Sequence, residues 1–162
     1  TAASTLFVDG GTIRCSRNLS VGAVYETAGN TLDIGGATAH CEAGLFALTN
    51  ASVLKVSIPA EGFVKGPLID VVDNTATHAD AKGTALLSGD SSIVIDAQAF
   101  ARGTVTLLRA KSLESAIPAE TIAAAIVPAR NATYKVWYEC EDDKVVALKV
   151  RASSKGFAII IQ

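Results

Sequence analysis

The sequence contains no methionine, few aromatic residues and few charges, and each shortage limits what the chain can be. Aromatic residues make up 6% of the 162 residues, whereas apolar residues of all kinds make up 49%. The apolar content is enough for a sizeable core and argues against disorder. That core must be built from Val, Ile, Leu and Ala, which is more typical of thin, repetitive folds than of enzyme cores. Because the chain begins at Thr1 without a methionine, we expect it to have been cut from something longer.

The chain also lacks the patterns that mark several common functions. Its net charge is −2 and its basic residues are scattered singly, so a nucleic-acid interface is not expected. No apolar run approaches the roughly 20 residues that cross a bilayer, and no secretory signal is visible, so membrane insertion is not expected either. Three cysteines occur without any C-x-x-C spacing, which argues against a zinc site. We expect neither a metal nor a cofactor.

Strand signals dominate what is present. Short runs of β-branched or alternating residues are separated by Gly, Asn, Asp and Ser, which predicts an all-β fold. These runs are TLFV (5–8), AVYET (23–27), SVLKVSI (52–58), PLIDVV (67–72), SSIVIDA (91–97) and GTVTLLRA (103–110). One short helix is predicted over 118–126, with Pro118 at its start and Glu120 in its first turn.

Two stretches of the chain repeat one pattern. LFVDGGTIRC (6–15) and LDIGGATAHC (32–41) each run apolar residues into a double glycine and end in cysteine, with the glycine pairs 25 residues apart. Repeat periods of about 20 to 50 residues are typical of solenoids, in which stacked units bury an apolar face that one unit alone leaves exposed. We therefore predict parallel β-solenoid coils over residues 1–110. The glycines would occupy a corner that a Cβ would obstruct.

The same repeat pairs two of the cysteines. Cys15 and Cys41 are 26 residues apart and would occupy one position on successive coils. Stacked positions lie within the Cα separation that a disulfide requires. Two readings remain open: Cys15 and Cys41 form a disulfide, or they stack as small buried residues.

The last third of the chain has a different pattern. Residues 132–140 and 144–152 alternate apolar and polar residues around the acidic tip 141–143, which predicts an antiparallel hairpin. A final strand, GFAIIIQ (156–162), carries an uncharged run that we expect to be buried or paired with a neighbouring subunit: Ile159, Ile160 and Ile161. Residues 111–162 would thus form a connecting segment and an antiparallel cap. A β-sandwich or jelly roll fits the same strand count and is the alternative fold.

Candidate chemical groups are sparse. Asp9 and Asp33 precede the two glycine pairs and could serve as aligned acids for Ca²⁺ or for glycoside cleavage, but aspartate is equally favoured at turns. The acidic tip 141–143 reads as a solvated turn, since it lacks calcium-loop spacing. His40 points to the opposite face from its strand neighbour and cannot serve it as a base, and His78 lies in a polar stretch that reads as a loop. We expect no catalytic residue and no enzyme activity.

These residues resemble a known group of proteins. The stretches GNTLDIGGATAHC (29–41), LFALTNASVLKVSI (45–58) and GTALLSGDSSIVIDAQAF (83–100) resemble bacterial secreted and surface passenger proteins of the autotransporter-associated β-strand repeat type. The end of the chain looks like the closing cap of such a passenger. The resemblance implies a right-handed parallel β-helix, an extracellular or cell-surface location, and a structural or adhesive role.

The function predicted from the sequence is therefore a non-catalytic structural module, adhesive or scaffolding, whose partner is itself through edge strands or another surface macromolecule. One alternative is a filament-forming or viral subunit that exchanges strands with its neighbours. The other is a carbohydrate-binding or carbohydrate-active β-helix fragment.

Overall fold

A computed structural model describes residues 3–22, 28–72 and 82–155 of the chain. The fold is all-β, with 56% of residues in strands and 4% in helix. The first nine strands are β1 (Thr5–Asp9), β2 (Thr12–Arg14), β3 (Asn18–Val21), β4 (Thr31–Gly35), β5 (His40–Ala43), β6 (Leu45–Leu48), β7 (Val53–Ser57), β8 (Ile69–Val71) and β9 (Thr84–Leu87). The remaining elements are β10 (Ser92–Ala97), β11 (Gly103–Arg109), β12 (Ser112–Ser115), α1 (Ala119–Ala124), β13 (Ile126–Pro128), β14 (Ala132–Glu141) and β15 (Lys144–Ser154).

Successive strands are distributed in turn over three sheets. The first sheet has the order β1-β4-β7-β10-β13, the second β14-β15-β11-β8-β5-β2, and the third β12-β9-β6-β3. Among β1 to β13, every pairing is parallel and joins a strand to the one three elements along in the strand count. We call three consecutive strands, one in each sheet, a layer; the layers are β1–β3, β4–β6, β7–β9 and β10–β12. This parallel pairing is not the antiparallel pairing of a sandwich or jelly roll, so that alternative is wrong.

The two glycine pairs lie against each other, as the repeat predicts. Asp9 pairs in register with Gly35, and the Gly10 N–H donates a 2.8 Å hydrogen bond to the Gly35 carbonyl. Gly36 has a φ of +85°, and a Cβ there would lie 2.8 Å from the Gly10 nitrogen. Glycine is therefore required at this corner by backbone conformation and by the close approach of two layers.

The core lies between the three sheets and forms one cluster of buried apolar side chains. In the first sheet, Leu32, Leu54 and Ile93 stack in register, and all three are 2% exposed or less. Burying each such side chain contributes about 1.5–3 kcal/mol. Alternation along each short strand places these residues inside and their neighbours outside, so the core is thin and aliphatic, as the low aromatic content predicts.

Antiparallel pairing enters only at the end of the described chain. β14 and β15 form the hairpin expected from alternation, and its two turn residues, Asp142 and Asp143, have φ of 48° and 62°. β15 also pairs antiparallel with β11, which joins the hairpin to the second sheet. The Tyr134 hydroxyl fastens it further, because it accepts from the Ala129 N–H at 2.9 Å and donates to the Phe100 carbonyl at 2.7 Å.

The segment between the parallel strands and the hairpin is short. The helix predicted over 118–126 is present as α1, with Pro118 as its N-cap residue. The helix ends at Ala124, and the chain then continues as β13 (Ile126–Pro128), which pairs parallel with β10. Parallel pairing thus continues beyond residue 110, through β12 and β13. The position of a domain boundary at that residue stays a prediction.

Candidate functional site: the open end, the charge row and the cap face

One end of the stack exposes core residues. β1, β2 and β3 are each the last strand of their sheet, and no described strand lies beyond them. Leu6, which pairs in register with the buried Leu32, is itself 53% exposed. Val8, Ile13 and Leu19 pack on the core but remain partly exposed. We call this surface, formed by the free edges of β1, β2 and β3, the open end; it combines apolar side chains with backbone groups that have no strand partner among the described residues.

The opposite end of the stack is covered. α1 contacts β10 and β14, and Ile122 of α1 is 1% exposed. The Tyr138 hydroxyl donates to the Ile117 carbonyl at 2.7 Å and lies 2.7 Å from the Ser115 hydroxyl, which fixes the hairpin beside β12. Burial raises the pKa of Tyr138, so this phenol stays protonated as a donor. The stack is therefore asymmetric, with one closed end and one open end.

A row of charges crosses the outer face of the second sheet. Arg14, Glu42, Asp70 and Arg109 are successive partners in register. Arg14 Nε lies 2.6 Å from Glu42 Oε2, and Arg109 binds both oxygens of Asp70, at 2.7 and 3.1 Å. The carboxylates of Glu42 and Asp70 are neighbours in the middle of the row, and each is paired with the arginine at its own end of the row. Accordingly, the hydrogen bond from Arg14 lowers the pKa of Glu42, and the hydrogen bonds to Asp70 raise the pKa of Arg109.

His40 lies beside this charge row, next to Glu42. Its Nδ1–H donates to the Pro67 carbonyl at 2.8 Å, and its Nε2 lies 3.4 Å from Glu42 Oε1. The adjacent Cys41 is fully buried in the core, and burial together with the nearby Cys15 raises the pKa of Cys41 to about 12. A thiol needs its thiolate form to act as a nucleophile, so Cys41 is inert at neutral pH.

The cysteines are close but not in register. Cys15, Cys41 and Cys140 are free thiols. Cys41 pairs with Ile13, so Cys15 lies two residues beyond the stacked position, and its N–H donates to the Glu42 carbonyl at 2.8 Å. Cys15 and Cys41 therefore do not share one position on adjacent layers. Both are free thiols in the structure, and their bonding under oxidising conditions stays a prediction.

The aspartates that precede the glycine pairs are not aligned either. Asp9 pairs with Gly35, whereas Asp33 pairs with Phe7, two residues back along the strand. The acidic tip is the hairpin turn itself, with Asp142 and Asp143 as its two turn residues. In residues 3–22, 28–72 and 82–155, no group of three or more His, Cys, Asp or Glu side chains could hold a metal ion.

A second polar surface covers the outside of the hairpin, and we call it the cap face. It is formed by outward side chains of β11, β15 and β14 in register, namely Thr104, Thr106, Lys149, Arg151, Ser153, Thr133, Lys135, Trp137 and Glu139. Lys149 Nζ lies 2.7 Å from the Glu139 carboxylate, and Lys135 Nζ lies 5.9 Å from the centre of the Trp137 ring. The sequence predicts this hairpin only as an antiparallel cap. A β-bulge between Glu139 and Cys140 shifts the strand register by one residue, so pairing the two strands from the turn alone does not reveal these charged rows.

Several predicted features cannot be placed. Ile159, Ile160 and Ile161, the expected edge-pairing strand, lie outside the described residues, as does His78. Within the described part of the chain, no helix is long and apolar enough to cross a membrane.

Comparison with known proteins gives no further assignment: no protein family, no curated protein and no solved structure matches the chain. The resemblance to autotransporter passenger repeats therefore rests on the quoted residues and stays a prediction. Function has to be argued from the surfaces of the molecule itself.

Proposed function

We propose that the chain is a short parallel β-solenoid with a cap at one end and that its function is structural. Its three-sheet stack would act as a rigid scaffold, capped at one end by α1 and the β14–β15 hairpin. The open end would be the surface through which it assembles. Display outside the cell follows from the resemblance to passenger repeats and is part of the same proposal.

The observation that carries this proposal is the difference between the two ends. Leu6 at the open end is 53% exposed, whereas Ile122 at the covered end is 1% exposed. Exposed edge strands recruit other strands, and proteins usually cover or charge them. The first layer instead exposes apolar side chains along the edges of three strands. These edges are therefore better suited to pairing with strands of another molecule than to facing solvent.

The partner we propose is the open end of a second copy. The closed end of a copy is occupied by α1 and the hairpin, so a head-to-tail stack is obstructed. Two open ends related by a two-fold axis bring identical apolar patches together, the usual arrangement of a symmetric dimer. Free edges of β1, β2 and β3 would then pair antiparallel across the axis.

Leu6→Lys tests this proposal by sedimentation velocity over a wide concentration range. The parent chain should associate as its concentration rises, and the variant should remain monomeric, because lysine would be buried without a partner in the dimer. Leu86→Lys is the matched control: Leu86 is 40% exposed on β9, a strand flanked on both sides in the third sheet. A parent chain that stays monomeric at the highest concentration, or equal association of both variants, would refute assembly through the open end.

A further inference from the structure

Three cations gather at one end of the cap face. Lys135 of β14 lies directly opposite Arg151 of β15, and Arg151 lies directly opposite Thr104 of β11. Arg102 precedes β11 and shares a surface depression with Arg151. No carboxylate of the described residues lies within ion-pair distance of Lys135, Arg151 or Arg102.

The neighbouring cations of the same sheet are compensated. Lys149 binds Glu139 and Arg109 binds Asp70, each at 2.7 Å. Like charges placed directly opposite each other on adjacent strands destabilise a sheet. The Lys135–Arg151 pair is therefore an uncompensated concentration of positive charge on a chain whose net charge is −2.

The depression beside this pair has the chemistry of an anion site. Its volume is about 410 Å³, within the size range of small-molecule sites. Its lining contains two guanidinium groups, three hydroxyl side chains and one glycine, and no carboxylate: Arg102, Gly103, Thr104, Arg151, Ser153 and Ser154. Guanidinium groups match the oxygens of sulfate and phosphate with paired, charge-assisted hydrogen bonds, and hydroxyl groups add further donors.

We propose that this depression is a binding site for a tetrahedral oxyanion, a sulfate or phosphate group that is either free or carried as an ester on a larger molecule. We call it the oxyanion site. Arg102 and Arg151 bind the anion, and Ser153 and Thr104 supply hydroxyl donors. Lys135 adds charge from the next strand. The site is independent of the proposed assembly, since it uses no residue of the open end.

Trp137 provides a direct reporter. It is the only tryptophan of the chain, Lys149 lies opposite it in register, and Lys135 Nζ lies 5.9 Å from its ring. Sodium sulfate and sodium phosphate should change Trp137 emission, and they should raise Tm more in the parent chain than in a variant without the two arginines, because binding to the folded state stabilises it. Comparing the two chains in the same salt removes the general stabilisation that these anions give to folded proteins. A polysulfated oligosaccharide, compared with its unsulfated counterpart, distinguishes an ester-borne group from the free ion.

The deciding variant is Arg102→Gln with Arg151→Gln. Its affinity should fall at least about tenfold, as expected when hydrogen bonds to a charged group are lost. Arg17→Gln with Lys55→Gln removes the same charge from exposed positions elsewhere and should leave affinity unchanged. The site is supported if only the Arg102/Arg151 double variant loses affinity. This holds whether the parent chain binds the inorganic ions or only the polysulfated probe. Equal losses in both double variants, or no response beyond that to chloride, would overturn it.

Discussion

The close approach of two layers at the glycine corner gives a quantitative test of the stack. Gly36 and Gly11 both have left-handed backbone, with φ of +85° and +79°. A Cβ on Gly36 would lie 2.8 Å from the Gly10 nitrogen and 3.0 Å from Asp9 Oδ1, whereas a Cβ on Gly11 would meet nothing within 4 Å. Two single variants, Gly11→Ala and Gly36→Ala, therefore separate two effects. Backbone strain is common to both variants, whereas the steric contact between layers occurs only at Gly36.

The expected magnitudes follow from these two terms. Left-handed backbone costs a residue with a Cβ about 1–2 kcal/mol, so Gly11→Ala should lower the free energy of unfolding by that amount. Gly36→Ala carries the same strain and in addition forces a backbone shift, which typically costs about 1–3 kcal/mol more. Urea denaturation followed by far-UV circular dichroism measures both losses, since a difference of about 1–3 kcal/mol moves the midpoint by roughly 0.3–3 M at m-values of about 1–3 kcal/mol/M.

One complication can be measured separately. β1 is an edge strand, so in Gly36→Ala it could detach from β4 and relieve the steric contact. The loss of stability in this variant could then not exceed the free energy needed to detach β1. In that case the backbone amides of β1 should exchange faster in Gly36→Ala and not in Gly11→Ala. Equal losses of stability together with equal exchange at β1 would mean that the layers do not meet at this corner, and the register of the stack would be wrong.

Two further predictions concern the cap and the buried thiol. Tyr134→Phe leaves the Ala129 N–H and the Phe100 carbonyl without their partner and should cost about 1–3 kcal/mol in urea denaturation; an unchanged midpoint would show that the hydroxyl does not fasten the hairpin. Iodoacetamide should label the exposed Cys140 in the folded protein and reach Cys41 only after unfolding. Because burial raises the pKa of Cys41 from 9.0 to about 12, the folded state holds its proton more tightly, so stability should fall as pH rises between those values. Cys41→Ala should reduce that slope, and an equal slope in the variant would contradict the assignment.

The cysteines show how far the repeat in the sequence could be taken. The link from β1 to β2 has two residues, 10 and 11, whereas the link from β4 to β5 has four, 36 to 39. The two additional residues shift the second sheet relative to the first, so Cys41 pairs with Ile13 although the glycine pairs still meet. Strand content and the glycine corner follow from local pattern. Strand register in the second sheet depends on the number of residues between consecutive strands, and the sequence repeat does not determine that number.

The cap face was hidden from sequence reasoning for a related reason. Pairing of Lys135 with Arg151 depends on the β-bulge between Glu139 and Cys140, because the register set by the two-residue turn alone would place Lys135 opposite Val150. The neighbourhood of Arg102 depends on β15 adding antiparallel to β11, a contact between strands that are far apart in the chain. No local signal specifies that pairing, so the third cation of the oxyanion site could be found only from the fold.

The two proposed surfaces depend on different parts of the stack. In the second sheet, β5 and β8 separate β2 at the open end from β11 and β15, which carry the oxyanion site. Each intervening strand keeps its own parallel register, and the core beneath them is continuous and buried. A charge placed at Leu6 therefore changes no contact of Arg151. Under the two proposals, the stacked core would therefore hold the open end and the oxyanion site at a fixed separation, and neither surface would need to influence the other.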